Sequence, residues 1–585
     1  GLGDVYKRQV MAKAWVEGFQ GSDLRAVNTI AACAKHFAAY GFVEAGRDYN
    51  TVDIGTSTLH NVVLPPFKAA AQAGVATFMN GFNELNGVPV TGSVLLQRQL
   101  LKGSWQWPGF VVSDWASIGE MVTHGFTANL QEAAQKAIMA GCDMDMESKA
   151  YEKHLQQLVE EDSVDADKIE DAVKRILEVK YELGLFEDPY RYCDEQREQT
   201  QILTPDNLAL TRDAARKSIV LLQNKGNLLP LPKSGIKIGV VGSLASDKDI
   251  PLGSWRAQAE ENSAVSLLEG LEALAGPDSI QFAEGYKLTR GERSFLYELD
   301  MIEKDETGFD HAVAVAQDCD VVVMALGEDC WQTGEGRSQV DIGLKGSQQA
   351  LLARLQKVNQ NIIVVVMSGR ALDLSQVTPQ VPAMLQVWHL GSEAGHAIAD
   401  VLFGDYNPSG RLPVSFPRHG GQLPLYYNHK NTGRPTTNPH DDGMVFWSHY
   451  SDCQNSPLFP FGHGLSYSRF EYRDFQLSAN QMRSGEKIQA TLKLKNHGPY
   501  AGHEVVQLYL RDPVASETRP VKELKAFQKV FLTPDEEKVI SFEIDEEMLS
   551  FYLSDGNFIC EPGTFHIMVG GSSEQLLEQL LSYEL

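Results

Sequence analysis

Three apolar runs constrain this chain more than any other feature: Ile236–Val241, Val321–Leu326 and Ile362–Met367. Each is rich in β-branched residues and about one strand long; Val321–Leu326 and Ile362–Met367 hold no polar residue, and Ile236–Val241 is interrupted only by Lys237 near its start. Such runs belong to parallel strands covered on both faces, and the cover has to come from helices between them. Residues 205–420 therefore read as an α/β sandwich, with Gly369-Arg370 and Gly391–Gly395 as loops near strand ends. Gly239-Val-Val-Gly242 lacks the spacing of Gly-x-Gly-x-x-Gly, which argues against a dinucleotide site.

The flanking regions follow other patterns. Residues 10–190 alternate short apolar runs with helical stretches, again a parallel β/α pattern. Thr29–Phe37, Ala73–Met79 and Phe110–Ser113 predict strands; Gly92–Leu101 and Asn129–Ala140 predict helices. Asp165 can cap a last helix in which Ile169, Ala172, Val173, Ile176, Leu177 and Leu183 keep helical spacing, and Gly184 supplies its stop. Leu185–Tyr192 then leads out of this region. Val10–Gln20 reads as the middle of an amphipathic helix, whereas Gly1–Gln9 fits neither helix nor strand and has no signal-peptide apolar core. The chain thus reads as entered part-way through a domain. Residues 421–465 form a turn-rich connector that includes Asn431–Asn438 and Asp441-Asp442-Gly443, long for a loop in a compact domain. From 466 to 585 the period becomes two. Ile488, Ala490, Leu492 and Leu494 alternate with polar residues, as do Val506, Leu508 and Leu510, then Ile540, Phe542 and Ile544, then Phe565, Ile567 and Val569. That is the mark of an antiparallel β-sandwich.

Charge and cysteine usage exclude several function classes. A formal net charge of −26 argues against nucleic acid, whose affinity comes from clustered Lys and Arg, and against anionic membranes. No apolar run reaches the roughly 18–20 residues of a membrane helix. The seven cysteines are scattered, odd in number and free of any Cys-x-x-Cys pair, so neither a disulfide framework nor a structural zinc site is expected.

The chemistry-bearing residues of the first region follow apolar runs directly. Val111-Val-Ser-Asp-Trp115 delivers the carboxylate of Asp114 where a buried strand should end, with an aromatic face next to it. Strand ends at the carboxyl rim of a β/α barrel hold the chemistry, and a flat aromatic suits a sugar ring. The plainer reading of Asp114 is a helix N-cap. Lys35-His36-Phe37-Ala-Ala-Tyr40-Gly41, with Arg47-Asp48-Tyr49-Asn50 after it, and Phe78-Met79-Asn80-Gly81-Phe82-Asn83 have the same form. On consecutive strands they would converge on one rim, although His36 could be a satisfied buried histidine, Lys35 could sit on a solvated face, and Asn83 and Asn86-Gly87 could be turn residues.

Taken together these segments resemble glycoside hydrolase family 3, in particular its bacterial periplasmic β-glucosidase branch. The matching motifs are Lys35-His36-Phe37-Ala-Ala-Tyr-Gly, Asn83-Glu-Leu-Asn-Gly-Val-Pro89, Val111–Trp115, Ala215-Arg-Lys-Ser-Ile-Val-Leu-Leu222, Ala399–Pro413 and Phe459-Pro-Phe-Gly-His-Gly-Leu-Ser-Tyr467. The resemblance implies the carboxyl-terminal half of a (β/α)8 TIM barrel over residues 10–190, an α/β sandwich over 205–420 and a fibronectin type III-like β-sandwich over 466–585. It implies an exo-acting, retaining β-glucosidase that needs no cofactor and no metal, acting on β-linked gluco-oligosaccharides or aryl and alkyl β-glucosides. A β-xylosidase or mixed-specificity glycosidase is the alternative within the family, and a homodimer remains open. It makes Asp114 the nucleophile, Lys35 and His36 ligands of sugar hydroxyls, Arg47 and Met79 parts of the same pocket, and Trp115 a wall of the first or the leaving-group subsite. It also implies a periplasmic or secreted protein.

A retaining hydrolase needs a second carboxyl about 5–5.5 Å from the first. Glu335, on the polar stretch Gly327–Arg337, resembles the acid/base loop that the second domain lends to the barrel. Glu120, six residues after Asp114, resembles the acid/base of the periplasmic branch; its plainer reading is an exposed first-turn residue. Glu328 is a third, weaker candidate with a structural reading. Two departures from the family stand out. Phe82 replaces a Tyr that contacts the nucleophile, and the upstream barrel strands, with their sugar-binding Asp and Arg, are missing. Open edges of that kind invite aggregation, so this chain by itself is expected to be poorly active or to act only as a carbohydrate-binding fragment.

Overall fold

The structure, a computed structural model, describes residues 3–436 and 445–585; Asp441-Asp442-Gly443 and the end of Asn431–Asn438 lie outside the described residues. The chain divides into two units, Gly1–Gln201 with Ser550–Ile559, and Ile202–Leu549 with Cys560–Leu585.

The first unit is built on three parallel strands, Cys33–Phe37, Thr77–Asn80 and Phe110–Val112, arranged in chain order. The arc continues through residues 142–146. Val112 bridges Met144, and the Asp143 and Met144 N–H groups both donate to the Val111 carbonyl, at 2.8 and 3.0 Å. Two strands are shorter than their apolar runs. Thr29 turns back, its hydroxyl donating to the Ala26 carbonyl at 2.8 Å, and Ala73-Gly74 close the helix Leu64–Gln72. The helix expected over Gly92–Leu101 runs Leu95–Ser104 instead, after a separate turn at Val90–Gly92. Gly92 is crowded there: a Cβ on it would meet Met121 Sδ and Phe126 Cε1 at 2.9 Å.

Regular structure also reaches further toward the amino terminus than the sequence suggested. Val5–Gln9 belongs to the helix Val5–Gln20, and the Asp4 carboxylate caps it by accepting the Lys7 N–H at 2.8 Å. Met11 and Trp15 on that helix are 52% and 57% exposed. Asn129 caps Leu130–Ala140 through the Glu132 N–H, and Gly184, at φ +72°, follows the end of Ala166–Glu182. Asp165 precedes that last helix in extended conformation, but its side chain makes no capping bond. A short hairpin, Phe551–Tyr552 paired with Phe558–Ile559, belongs to this unit. The Asn61 side chain donates to the Tyr552 carbonyl at 2.7 Å and accepts the Tyr552 N–H at 2.9 Å.

The second unit holds a six-stranded sheet in the order Val220–Asn224, Ala383–Gln386, Ile362–Met367, Val321–Gly327, Ile238–Val241, Ile280–Ala283. All pairs are parallel except the edge formed by Val220–Asn224. Val321–Gly327 and Ile362–Met367 are buried at every position, as their unbroken apolar composition requires. The chain runs outward from Ile238–Val241 to Ile280–Ala283, then returns to place Val321–Gly327 on the other side. The sheet order therefore reverses between Ile238–Val241 and Val321–Gly327, and that is where open parallel sheets form their crevice. Residues 470–549 and 560–585 of this unit make a three-stranded and a five-stranded sheet, mostly antiparallel, with inward positions alternating along Ile488–Asn496.

Candidate active site

Asp114 leaves the strand Phe110–Val112 through Ser113, whose hydroxyl accepts the Met146 N–H at 2.8 Å and so ties the strand end to the neighbouring segment. The Asp114 residue is 7% exposed. Its Oδ1 accepts the Trp115 N–H at 2.8 Å, and its Oδ2 lies 3.3 Å from His36 Nε2. Asp114 is not a helix cap. The following helix, Ser117–Thr123, has Ala116 at the cap position in left-handed conformation, φ +56°. The Trp115 N–H and the His36 imidazole thus both meet the carboxylate at the carboxyl end of a parallel strand. Trp115, beside it, is 61% exposed.

The neighbouring strand ends supply the rest of this rim. Lys35 and His36 close the strand Cys33–Phe37, with Lys35 exposed and His36 half-buried. The His36 ring meets Tyr40 edge-on at 5.4 Å. Phe82 packs against Tyr40 at 6.1 Å and Tyr49 at 5.1 Å, an apolar contact where a tyrosine would present a hydroxyl. Asn83, fully buried, donates to the carbonyls of Ala38 (3.3 Å) and Glu84 (3.2 Å), which fixes one rim loop to the next. Met79 is half-buried opposite Val112 in the sheet. Arg47 follows the turn Glu44–Gly46 and is exposed. A cleft of about 600 Å³ beside the first strand is lined by Trp15, Phe19, Lys35, His36, Tyr40 and Asp48; Asp114 and Trp115 are not part of its wall.

Glu120 sits in the first turn of the helix Ser117–Thr123, as its plainer reading had it, but is half-buried rather than exposed. Burial lifts its carboxyl above the ordinary glutamate range; His124 pulls it down, and the Asp114 charge adds to the lift. A raised carboxyl retains its proton at higher pH, as a general acid requires.

In the second unit, Glu335 lies half-buried on the loop after Val321–Gly327, at the reversal of strand order. Arg337 donates to its carbonyl at 3.1 Å. Glu328 is 1% exposed and bound side-on by Arg370 at 2.6 and 3.2 Å, a structural ion pair between adjacent strand ends. Burial pushes its carboxyl up, and Arg370 opposes that. Sequence reasoning missed a second charged group here. Arg293 reaches Asp247, Asp329 and Asp249 at 2.6, 2.9 and 3.2 Å, and Arg256 reaches Asp249 at 2.6 Å. The only local signal was Asp247-Lys-Asp249 shortly after a strand.

Comparison with known proteins places this arrangement. Residues 3–179 match the glycosyl hydrolase family 3 N terminal domain, 219–467 the family 3 C-terminal domain, and 504–573 a fibronectin type III-like domain. The chain is 40% identical over its full length to the periplasmic β-glucosidase of Salmonella typhimurium, covering 77% of that protein. It is 34% identical to a β-xylosidase of Formosa agariphila over 98% of this chain and 78% of that protein. Its fold superposes on the crystal structure of a β-glucosidase mutant from Listeria innocua in complex with laminaribiose, with a TM-score of 0.93 at 38% identity, over 100% of this chain and 78% of that one. With domain matches on both units and full-length relatives at this identity, the chain belongs to glycosyl hydrolase family 3.

Proposed function

We propose that this chain is an exo-acting, retaining β-glucosidase of the periplasm or of secreted space, and that Asp114 is its nucleophile. The observation that carries the reading is the Asp114 carboxylate itself, at a parallel strand end, held by the Trp115 N–H and His36, beside an exposed tryptophan. Asp114 attacks the anomeric carbon and the glycosidic C–O bond breaks. A carboxylic acid protonates the departing oxygen, and the same group, now a carboxylate, takes a proton from the water that releases glucose with its configuration retained. Lys35 and His36 bind hydroxyls of the terminal sugar, Met79 and Arg47 border it, and Trp115 offers its ring a face.

We assign the proton donor to Glu335, because its loop leaves the sheet where strand order reverses and an open α/β sheet presents ligands there. Glu120 is the second candidate, favoured by its raised carboxyl. The test compares Asp114→Asn, Glu335→Gln and Glu120→Gln on a dinitrophenyl β-glucoside, on cellobiose and on an aryl β-xyloside. Asp114→Asn should abolish all turnover. Loss of the true acid should cost cellobiose about 10²–10⁴-fold and largely spare the dinitrophenyl substrate, whose leaving group needs little protonation. Normal turnover by Asp114→Asn overturns the mechanism, and xyloside turnover above glucoside turnover transfers the specificity to xylose.

A further inference from the structure

A buried polar strap ends on the turn that carries Asp114, and all of it lies in the first unit. It starts at Asn80, the last residue of the strand Thr77–Asn80, whose side-chain amide comes within 3.5 Å of Gln97 Oε1. The Gln97 amide in turn donates to the carbonyls of Val90 (3.0 Å) and Thr91 (2.9 Å), which pins the turn Val90–Gly92. Thr91 Oγ1 then meets Ser117 Oγ at 3.1 Å. Asn80, Gln97, Thr91 and Ser117 are all buried.

Ser117 closes the turn: its N–H donates to the Asp114 carbonyl at 3.1 Å. Inside the turn the Trp115 N–H donates to Asp114 Oδ1 at 2.8 Å, and Ala116, at φ +56°, donates its N–H to the Met146 carbonyl at 2.8 Å. The turn is therefore anchored through Ala116 to the neighbouring segment and through the Ser117 hydroxyl to Thr91. Tilting the Trp115 peptide would carry its donor away from Oδ1 and move the carboxylate relative to His36, now 3.3 Å from Oδ2. Stability alone does not call for hydroxyls at 91 and 117. Burying them costs desolvation that their hydrogen bond offsets, and an apolar pair of the same shape is nearly neutral by comparison. What the hydroxyls add is direction, since a hydrogen bond has a preferred distance and angle. Placement of that kind matters for an attacking oxygen, where an error of about 1 Å can cost a hundredfold in rate.

We propose that Thr91 and Ser117 are positioning residues whose paired hydroxyls set the Asp114 carboxylate for attack. This rests on Asp114 being the nucleophile. The probe is 2-deoxy-2-fluoro-β-glucosyl fluoride. Asp114 displaces its anomeric fluoride, the O–C bond forming as the C–F bond breaks, and the remaining fluorine slows hydrolysis so that the ester accumulates and is located by mass spectrometry. The full chain is compared with Thr91→Val, Thr91→Ser and the double variant Thr91→Val with Ser117→Ala. Hydrogen exchange of the peptide covering Ser117–Thr123 reads the helix in each. Thr91→Val strands the Ser117 hydroxyl, so it should both loosen the helix and slow ester formation. The double variant should regain helix protection to within about twofold of the parent, yet stay slower in maximal ester formation on the order of tenfold, at unchanged half-saturation. Thr91→Ser, which keeps the hydroxyl, should restore the rate. A parent-like rate in the double variant, or a rate that recovers along with helix protection, overturns the positioning role and leaves Asp114 the nucleophile. An ester on another residue of the parent chain, or none, removes the nucleophile and the strap's role together.

Discussion

The strand that presents Asp114 depends on a buried ion pair beneath it, and Lys102→Met isolates that dependence. Lys102 Nζ lies 2.6 Å from Asp143 Oδ1, with side chains 5% and 0% exposed. The other Asp143 oxygen accepts the Val111 N–H at 2.8 Å, three residues before Asp114. Methionine keeps most of the apolar stem and removes the charge, leaving a carboxylate without its cation in a dry site. Breaking one side of a buried pair costs about 3–5 kcal/mol, and 3 kcal/mol is more than a hundredfold in an equilibrium at about 1.4 kcal/mol per tenfold. Because the chain holds several domains, one global unfolding free energy would mix them. Hydrogen exchange of the peptide covering Phe110–Trp115 reads the local loss directly.

The pH dependence of this deficit has a fixed sign. Burial raises the Asp143 carboxyl, and Lys102 is foremost among the groups that pull it back. Without Lys102 the native value rises further above the unfolded one. The native state then binds the extra proton between the two values, so stability falls as pH rises through that window and recovers below it. The protection lost in Lys102→Met should accordingly be larger at pH 8 than at pH 5, and Lys102→Met with Asp143→Asn should regain most of it. A loss under tenfold at pH 8, or one that does not change with pH, refutes the reasoning.

Two further outcomes are expected. The raised Glu120 carboxyl stays protonated to higher pH than an ordinary glutamate. If it donates the proton, kcat/KM on cellobiose declines on the alkaline side through that raised value, and Glu120→Gln removes the decline; an unaltered alkaline limb in Glu120→Gln leaves the proton with Glu335. Among the cysteines, Cys193 is exposed, whereas Cys142 and Cys330 are buried and burial pushes their thiols well above the usual range. A thiol reagent should therefore modify Cys193 in the native chain and reach Cys142 and Cys330 only in denaturant; rapid native labelling of Cys142, followed by mass spectrometry, would contradict the packing around residues 142–146.

What was legible in the sequence was what neighbours along the chain decide among themselves. Val321–Leu326 and Ile362–Met367 are strands because no other element of that length buries such residues on both faces, and they appear as Val321–Gly327 and Ile362–Met367. Asn129 and Gly184 end helices through bonds and φ values local to themselves. The helix at Leu95 starts after a separate turn, Val90–Gly92, where a Cβ on Gly92 would meet Met121 and Phe126, residues some thirty positions away that no period reveals. The hairpin at Tyr552 is bonded to Asn61 across a sequence separation of 491.

Charge is where local reading reaches its limit. Asp114, Asp247 and Asp329 share one signature, an aspartate shortly after an apolar strand. Their partners separate them. Asp247 and Asp329 face the Arg293 guanidinium at 2.6 and 2.9 Å, a pairing that neutralises the carboxylate and holds loops together. Asp114 faces the Trp115 N–H and the His36 ring, beside an exposed tryptophan. The same residue type, on the ends of two parallel sheets, thus serves attachment in one unit and, on the reading proposed above, attack in the other, and the groups set opposite it come from distant parts of the chain where local pattern does not reach.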